Sequence, residues 1–303
     1  MTYDYKNLEY FEENYFFVYL EIPNQEEYIP TNQPYVCRFC GKTKPETTFK
    51  KKAHAIPESL GNKFLKSKNE CDICNTKFGQ EFEDHLAKFL LPYRALTGIK
   101  GKKGPVTYKD LKTRFENLEN IVKIQSDIEA FRIDEQNHKA YLDVNQQPYV
   151  PINVYKAFLK IALSVMPEEW LPDYKDLILF LQNGVFPFSK KFIRIGITEI
   201  AGNRPFVMPG AFFAKKKTPD KLVPSLYFVF IFGNYIFQLL LPSKTEDEIL
   251  FKNNLKIKWI QVYLFEREVK ENLKYQLVDF SRDIQTQDNK ITISFNYESI
   301  EKT

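Results

Sequence analysis

Hydrophobic positions along this chain follow two spacings, which separate predicted helices from predicted strands. Apolar residues recur every three or four positions over 154–165 and cluster over 177–181, which predicts two helices. Other apolar segments are aromatic or β-branched and lie between Asn, Pro, Gly or charged residues, which is typical of strands. These segments are 15–22, 192–200, 206–214, 222–232, 235–241, 255–265, 275–280 and 290–297.

The longest apolar run, 226–241, predicts a buried β-hairpin and not a membrane span. It is shorter than the roughly 20 residues that a helical span requires, and Gly233-Asn234 interrupts it. Gly-Asn is a common two-residue hairpin turn, and the residues on both sides have strand composition. We therefore expect no membrane partner.

All four cysteines fall in two CxxC pairs, Cys37 with Cys40 and Cys71 with Cys74. Two thiolates on each of two short loops can surround one Zn²⁺ tetrahedrally, so we interpret the pairs as one structural zinc site. Disulfides are the less favoured alternative. Cysteines used in this way, in a chain without an apolar leader, indicate a reducing cytoplasm.

The chain length of 303 residues, with 44% hydrophobic content, predicts a large core and more than one domain. We expect an α+β protein in which a zinc-binding module precedes a larger, β-rich α+β C-terminal domain. The expected parts are an acidic segment with one strand (1–35), the zinc-binding module (36–105) and the C-terminal domain (106–303). Glycines between 98 and 104 mark the second boundary.

Positive charge is concentrated in the zinc-binding module. Residues 36–105 carry 15 Lys and Arg against 7 Asp and Glu, whereas residues 1–35 carry 1 against 7. A basic module suits a partner with a phosphate backbone such as DNA, although a solvated lysine-rich face is the simpler alternative. The acidic segment could pack near the basic surface and lower DNA affinity. The candidate DNA contacts are Lys50, Lys51, Lys52, Lys77, Arg94, Lys100, Lys102 and Lys103.

His54 is the histidine that lies between the two cysteine pairs. Phosphodiester hydrolysis needs a general base that deprotonates water and a divalent cation that polarises the phosphate. A zinc site on both sides of His54 could hold its imidazole in place. A lone histidine is more often a surface residue, which is how we interpret His138.

The residues around His54 resemble a known family. The string Cys37-x-x-Cys40, then Ala53-His54-Ala55-Ile56-Pro57-Glu58, then Cys71-Asp72-x-Cys74-Asn75-x-x-Phe78-Gly79 is similar to the HNH endonucleases of the ββα-metal superfamily, in the subgroup with paired zinc knuckles. The resemblance covers residues 37 to about 90. It implies a zinc-knuckle ββα-metal (HNH) module with DNA endonuclease activity, in which zinc lies away from the chemistry and Mg²⁺ or Mn²⁺ is the catalytic cation.

The resemblance also implies site residues. His54 would be the general base, and Asn75 would orient that base or reach the metal. Glu83 is favoured for the third catalytic position on the following helix. Glu83, Asp84 and His85 are the candidate ligands of the catalytic metal.

Ala53 departs from the pattern, since many relatives have a metal-ligating residue immediately before the base. A methyl group cannot bind a cation, so waters and phosphate oxygens would complete the coordination of Mg²⁺, or Glu58 or Asp84 would substitute. Loss of activity is a further alternative. We expect a weakly held metal that binds mainly with DNA present.

The resemblance does not extend to residues 106–303. By analogy with nucleases that carry extra domains, we expect this part to sense a small-molecule or protein activator, to dimerise or to target DNA, as in an anti-phage defence or restriction effector. Two sites for a double-strand cut favour a homodimer. The alternative function is a catalytically inactive zinc module that binds nucleic acid or a protein partner.

Overall fold

The computed structural model describes residues 6–100, 104–118, 121–200, 209–252, 261 and 273–297. The described part is an α+β fold built mainly on antiparallel strand pairs, which confirms the expected fold class. Its α-helices are α1 (Lys6–Asn14), α2 (Asp72–Phe78), α3 (Asp84–Phe89), α4 (Leu91–Thr97), α5 (Pro151–Val165), α6 (Lys175–Asn183) and α7 (Glu248–Lys252). Its strands are β1 (Tyr15–Leu20), β2 (Glu27–Tyr28), β3 (Ala53–His54), β4 (Leu65–Ser67), β5 (Thr107–Lys109), β6 (Arg114–Leu118), β7 (Ile121–Gln125), β8 (Phe131–Asp134), β9 (Lys139–Asn145), β10 (Arg194–Ile200), β11 (Gly210–Lys216), β12 (Leu226–Phe232), β13 (Tyr235–Leu240), β14 (Leu273–Asp279) and β15 (Lys290–Asn296).

A six-stranded sheet in the order β1-β11-β12-β13-β10-β14 forms the largest layer. The predicted hairpin is confirmed, because β12 and β13 pair from Tyr227 with Leu240 to Phe232 with Tyr235 around Gly233-Asn234. Gly233 has a positive φ of 57°, and a Cβ at this position would collide with the side chain of Thr97 on α4. Only glycine therefore allows the hairpin turn to approach α4 so closely.

Three smaller sheets complete the β structure, with orders β2-β4-β3, β5-β6-β7 and β15-β9-β8. The sequence did not predict β5 to β9. Lys139–Asn145 shows why, since its inward-facing apolar residues alternate with polar residues on an exposed face and form no continuous apolar run. In the sheet that contains His54, β2 from the acidic segment runs parallel to β4.

The helix α5 lies at the centre of the molecule. Its side chains are buried on nearly all sides, as expected of a helix enclosed by other elements. Phe158 packs against Phe237 of the large sheet, with ring centroids 4.9 Å apart. On another side Lys156 lies over the ring of Phe82, from the zinc-binding module. A single buried apolar cluster runs from the module through α5 to the large sheet.

Most of the predicted elements are confirmed. Both helices are present as α5 and α6, and the segment 15–22 contains an edge strand, β1. The predicted strand at 255–265 lies outside the described residues apart from residue 261, and 206–214 is described from 209 onward. Within the described ranges, no helix combines the length and the apolar character that crossing a membrane would require.

Candidate active site

The four cysteines form one cluster. Their sulfur atoms all lie within 4.8 Å of one another, and none forms a disulfide. A tetrahedral zinc site with Zn–S bonds of about 2.3 Å places its sulfurs roughly 3.8 Å apart. Cys40 Sγ and Cys71 Sγ are 3.8 Å apart, so the cluster fits zinc.

The C-terminal helices hold the zinc-binding loops in place. The side-chain amide of Gln182, on α6, lies 3.5 Å from Cys74 Sγ. Arg38, between the first two cysteines, donates to the carbonyl oxygens of Leu163 and Ser164 at 2.7 and 2.8 Å. These carbonyls belong to the last turn of α5, where no intrahelical donor is available.

The strand that carries His54 pairs with β4 and is fixed by a buried asparagine. His54 pairs with Lys66 across the antiparallel β3-β4 ladder. The Asn62 side chain donates to the carbonyl oxygens of Ile56 and Leu65 at 2.7 and 2.9 Å, and accepts the Leu65 amide at 2.9 Å. Asn62 lies between the two cysteine pairs in the sequence, but its structural role is visible only from these contacts.

Asp72 ties the start of α2 to the chain that leads into β3. Its carboxylate accepts the backbone N–H groups of Lys50 and Lys51 at 3.0 and 2.8 Å, and it also accepts the Thr48 hydroxyl. The two strands and the helix are thereby held in the ββα order that the resemblance implies.

A π-helical turn interrupts the helical segment that follows the second cysteine pair. Asn75 lies in α2, the π turn covers Gly79–Glu83, and α3 starts at Asp84. π turns inside helices are rare and occur frequently at functional sites.

The three predicted catalytic residues and the candidate metal ligand Asp84 meet in one cavity of about 580 Å³. It brings together His54, Asn75, Glu83 and Asp84, which are far apart in sequence or on different elements. The full lining is His54, Pro57, Glu58, Ser59, Asn75, Gly79, Glu83, Asp84, Ala87, Arg94, Gly104 and Val106. Ala53 is buried and does not belong to this lining, whereas Glu58 and Asp84, the two suggested substitutes, both do.

His54 is half-buried, and its environment favours the neutral imidazole. Burial lowers the pKa of His54, because the cationic form loses hydration. Glu58 opposes this effect, and the positive charges of Lys66 and Lys160 add to it. A neutral imidazole near pH 7 can accept a proton.

Lys160, on α5, is a residue of the site that the sequence did not identify. Its ammonium lies 3.1 Å from the carbonyl oxygen of His54, 3.2 Å from Glu83 Oε1 and 3.2 Å from Glu70 Oε2. Burial raises the pKa of Glu70 to about 7, against the influence of Lys160. Lys160 lies in the otherwise apolar stretch 158–163. A lysine at such a position could have indicated a buried functional cation from the sequence.

Arg94, on α4, lines the cavity as a buried cation. Its Nε has no hydrogen-bond partner, and among the described residues no carboxylate lies within 4.0 Å of its guanidinium. Burial lowers the pKa of Arg94, but an arginine remains charged at neutral pH. The cavity therefore contains a positive charge that lacks a described counter-ion.

Two histidines lie away from the cavity lining. His85 Nδ1 accepts the backbone N–H of Val150 at 3.1 Å, and His85 does not line the cavity, so its role as a metal ligand stays a prediction. His138 is exposed and adopts a positive φ of 51°, in agreement with the predicted surface position.

The lysines proposed as DNA contacts have different environments. Lys77 donates to the carbonyl oxygen of Gln182 at 2.6 Å, and Lys52 pairs with Glu26 at 2.9 Å. Glu26 belongs to the acidic N-terminal segment, which therefore contacts the basic surface at this point. Lys50, Lys51, Lys52 and Lys100 are exposed. Lys102 and Lys103 lie outside the described residues.

Ligand atoms for a second metal are less closely grouped than the cysteines. Within the part of the chain that the structure describes, no other three His, Cys, Asp or Glu side chains place their donor atoms within 4.8 Å of one another. His54 and the carboxylates of Glu58, Glu83 and Asp84 share a cavity without forming a preorganised three-ligand site. Mg²⁺ tolerates such a site, because it commonly retains several waters and binds through one or two carboxylates.

Comparison with protein families agrees with this geometry. Residues 37–91 match the family model described as HNH endonuclease. The chain carries an HNH-family segment. The paired cysteines fit the zinc-knuckle subgroup, and the match covers under a fifth of the chain. No curated protein and no solved structure matches the chain.

Proposed function

We propose that this protein is a metal-dependent endonuclease that hydrolyses DNA phosphodiester bonds at the cavity containing His54. The observation that carries the proposal is that His54 on β3 lines the same cavity as Asn75 and Glu83 on the following helical segment. These elements belong to the segment that matches the HNH endonuclease family.

The side chains have complementary roles in the proposed reaction. Neutral His54 accepts a proton from the attacking water, and Asn75 orients the imidazole or reaches the cation. Glu83, with Asp84 or Glu58, offers carboxylate oxygens suited to Mg²⁺ or Mn²⁺. When bound, such a cation polarises the scissile phosphate and stabilises the departing oxygen.

Arg94 supports a phosphate-containing substrate. A buried, unpaired cation is costly, since it loses hydration without gaining a counter-ion. A phosphate group in the cavity would supply that counter-ion through charge-assisted hydrogen bonds to the guanidinium. The basic balance of residues 36–105 adds a longer-range attraction to a nucleic acid.

The catalytic cation is proposed to bind weakly without DNA. The absence of a ligand at Ala53 and the spread of the carboxylates both support this. Isothermal titration with Mg²⁺ should show no tight site in the DNA-free, zinc-loaded protein. A stoichiometric, tight Mg²⁺ site would contradict this part of the proposal.

Plasmid cleavage tests the function directly. Supercoiled plasmid incubated with the protein and Mg²⁺ or Mn²⁺ should become nicked or linear, and His54→Ala should abolish cleavage while the zinc content stays unchanged. His138→Ala, at an exposed histidine far along the chain, is the matched control and should cut normally. Binding of plasmid without cleavage by the wild type, across metals, would favour the inactive zinc module.

The same proposal extends to the choice of nucleic acid, the control of the nuclease and its oligomeric state. We propose that DNA is preferred over RNA, that residues 106–303 control or target the nuclease, and that a two-fold dimer makes double-strand cuts in an anti-phage or restriction role. Sedimentation of a monomer at micromolar concentration, with and without DNA, would contradict the dimer.

A further inference from the structure

We propose that Lys160 is a positioning residue of the nuclease site, and that α5 thereby completes a site whose proposed catalytic residues lie in the segment 37–91. The buried ammonium group of Lys160 fixes the strand that carries His54 and holds one carboxylate oxygen of Glu83. This inference rests on the proposed function and adds a residue from the C-terminal part of the chain to it.

The contacts of Lys160 reach both halves of the site. One hydrogen bond, of 3.1 Å, goes to the backbone carbonyl of His54, and another, of 3.2 Å, goes to Glu83 Oε1. The Lys160 side chain is only 1% exposed, so water does not compete for these bonds. A charged donor bonded in this way restricts both partners more strongly than a neutral donor would.

The bond to Glu83 also divides the roles of its two oxygens. Oε1 is bonded to Lys160, and the side chain remains 26% exposed where it lines the cavity. One oxygen is therefore anchored while the other is available to a ligand in the cavity. Partners that orient a functional carboxylate commonly change activity by about 10- to 100-fold when they are removed.

A purely structural role is the competing explanation. Glu70 is fully buried 3.2 Å from the Lys160 ammonium, and removal of Lys160 alone would leave this carboxylate without its cation. Lys160→Met could then fail to fold for reasons unrelated to His54. The test must therefore neutralise Glu70 together with Lys160.

The decisive variant is Lys160→Met with Glu70→Gln in the full chain. If Lys160 only balances Glu70, the double variant regains both wild-type stability and wild-type cleavage. If Lys160 positions His54 and Glu83, the double variant folds and retains zinc and DNA affinity, but its single-turnover cleavage rate at saturating DNA falls by about 10- to 100-fold. Cleavage at the wild-type rate would overturn the proposal.

Lys156→Met is the matched control. Lys156 lies one turn earlier on α5, is also buried, and packs over the ring of Phe82 without a described bond to His54 or Glu83. Its replacement should leave the cleavage rate near that of the wild type. An equal loss in this control would assign the effect to general packing of α5 and overturn the proposal.

Amide hydrogen exchange tests the positioning role of Lys160 without depending on DNA cleavage. If the wild type cuts no DNA, the proposed function fails, and the positioning role is then judged from amide exchange over 53–56. Faster exchange there in the double variant than in wild type and Lys156→Met supports positioning, and equal exchange overturns it. If the double variant with methionine does not fold, Lys160→Gln with Glu70→Gln replaces it in the same measurements. Failure of both double variants to fold would show that Lys160 is structural.

Discussion

Asn75 and Glu83 are eight positions apart in the chain, and both line the cavity because a π-helical turn lies between them. In an uninterrupted α-helix, positions eight apart are rotated by about 80° from each other. The π turn at Gly79–Glu83 accommodates an extra residue per turn and reduces this offset. The irregular helix thus directs two predicted site residues to the same space.

The pH dependence of cleavage should report the neutral form of His54. Burial lowers the pKa of this imidazole, so the neutral base persists to lower pH than in an ordinary histidine. The rate should be level near pH 7 and fall on acidification, with a midpoint below about 6.5. NMR titration of the His54 ring protons in zinc-loaded protein without Mg²⁺ or Mn²⁺ gives the same midpoint directly, and a value above 7 would contradict the assignment.

Gly79→Ala should stabilise the protein and impair cleavage. Gly79 has helical backbone angles, and an added Cβ would meet no atom within 4 Å, so alanine should add roughly 0.5–1 kcal/mol to the free energy of unfolding. The new methyl group would project into the cavity and displace substrate. Urea unfolding and plasmid cleavage measure the two effects. Gln80→Ala, at the next and exposed position, is the control and should change cleavage little.

Arg94→Met should weaken the engagement of DNA phosphate in the cavity. We expect the loss of one phosphate contact, so the slope of log affinity against log salt should decrease by about 1 in magnitude. Fluorescence anisotropy at several salt concentrations measures this slope. Arg132→Met removes an exposed arginine paired with Asp143 at 3.2 Å, and should leave the slope unchanged. An unchanged slope for Arg94→Met would argue against a phosphate contact.

Removal of zinc should destabilise the strand and helix of the site. Structural zinc contributes directly to folding, and Cys71 and Cys74 flank the start of α2. Cys74→Ser should lower the zinc content and the thermal midpoint, and should reduce cleavage even with excess Mg²⁺. Elemental analysis and thermal melting test this, and an unchanged midpoint would contradict a structural role of the metal.

The sequence by itself identified the local features of this protein. The two CxxC pairs, His54, Asn75 and Glu83 lie in short motifs with fixed spacing, and the aromatic and β-branched runs around Gly233 predicted the hairpin. The cysteine pairs and the hairpin depend on near neighbours in the chain, so spacing and composition are sufficient to find them. The roles of Asn75 and Glu83 were implied by the resemblance to the HNH endonucleases. The strands between 107 and 145 escaped prediction because their apolar residues are separated by polar ones.

Only the tertiary structure decided which distant side chains complete the site. Lys160 is more than a hundred positions from His54 in the chain, and its contact with the His54 carbonyl oxygen depends on the packing of α5 against the zinc-binding module. The burial of Arg94 and the separation of His85 from the cavity likewise arise from packing between elements. Long-range contacts of this kind depend on how the apolar core assembles, and no local pattern in the sequence specifies them.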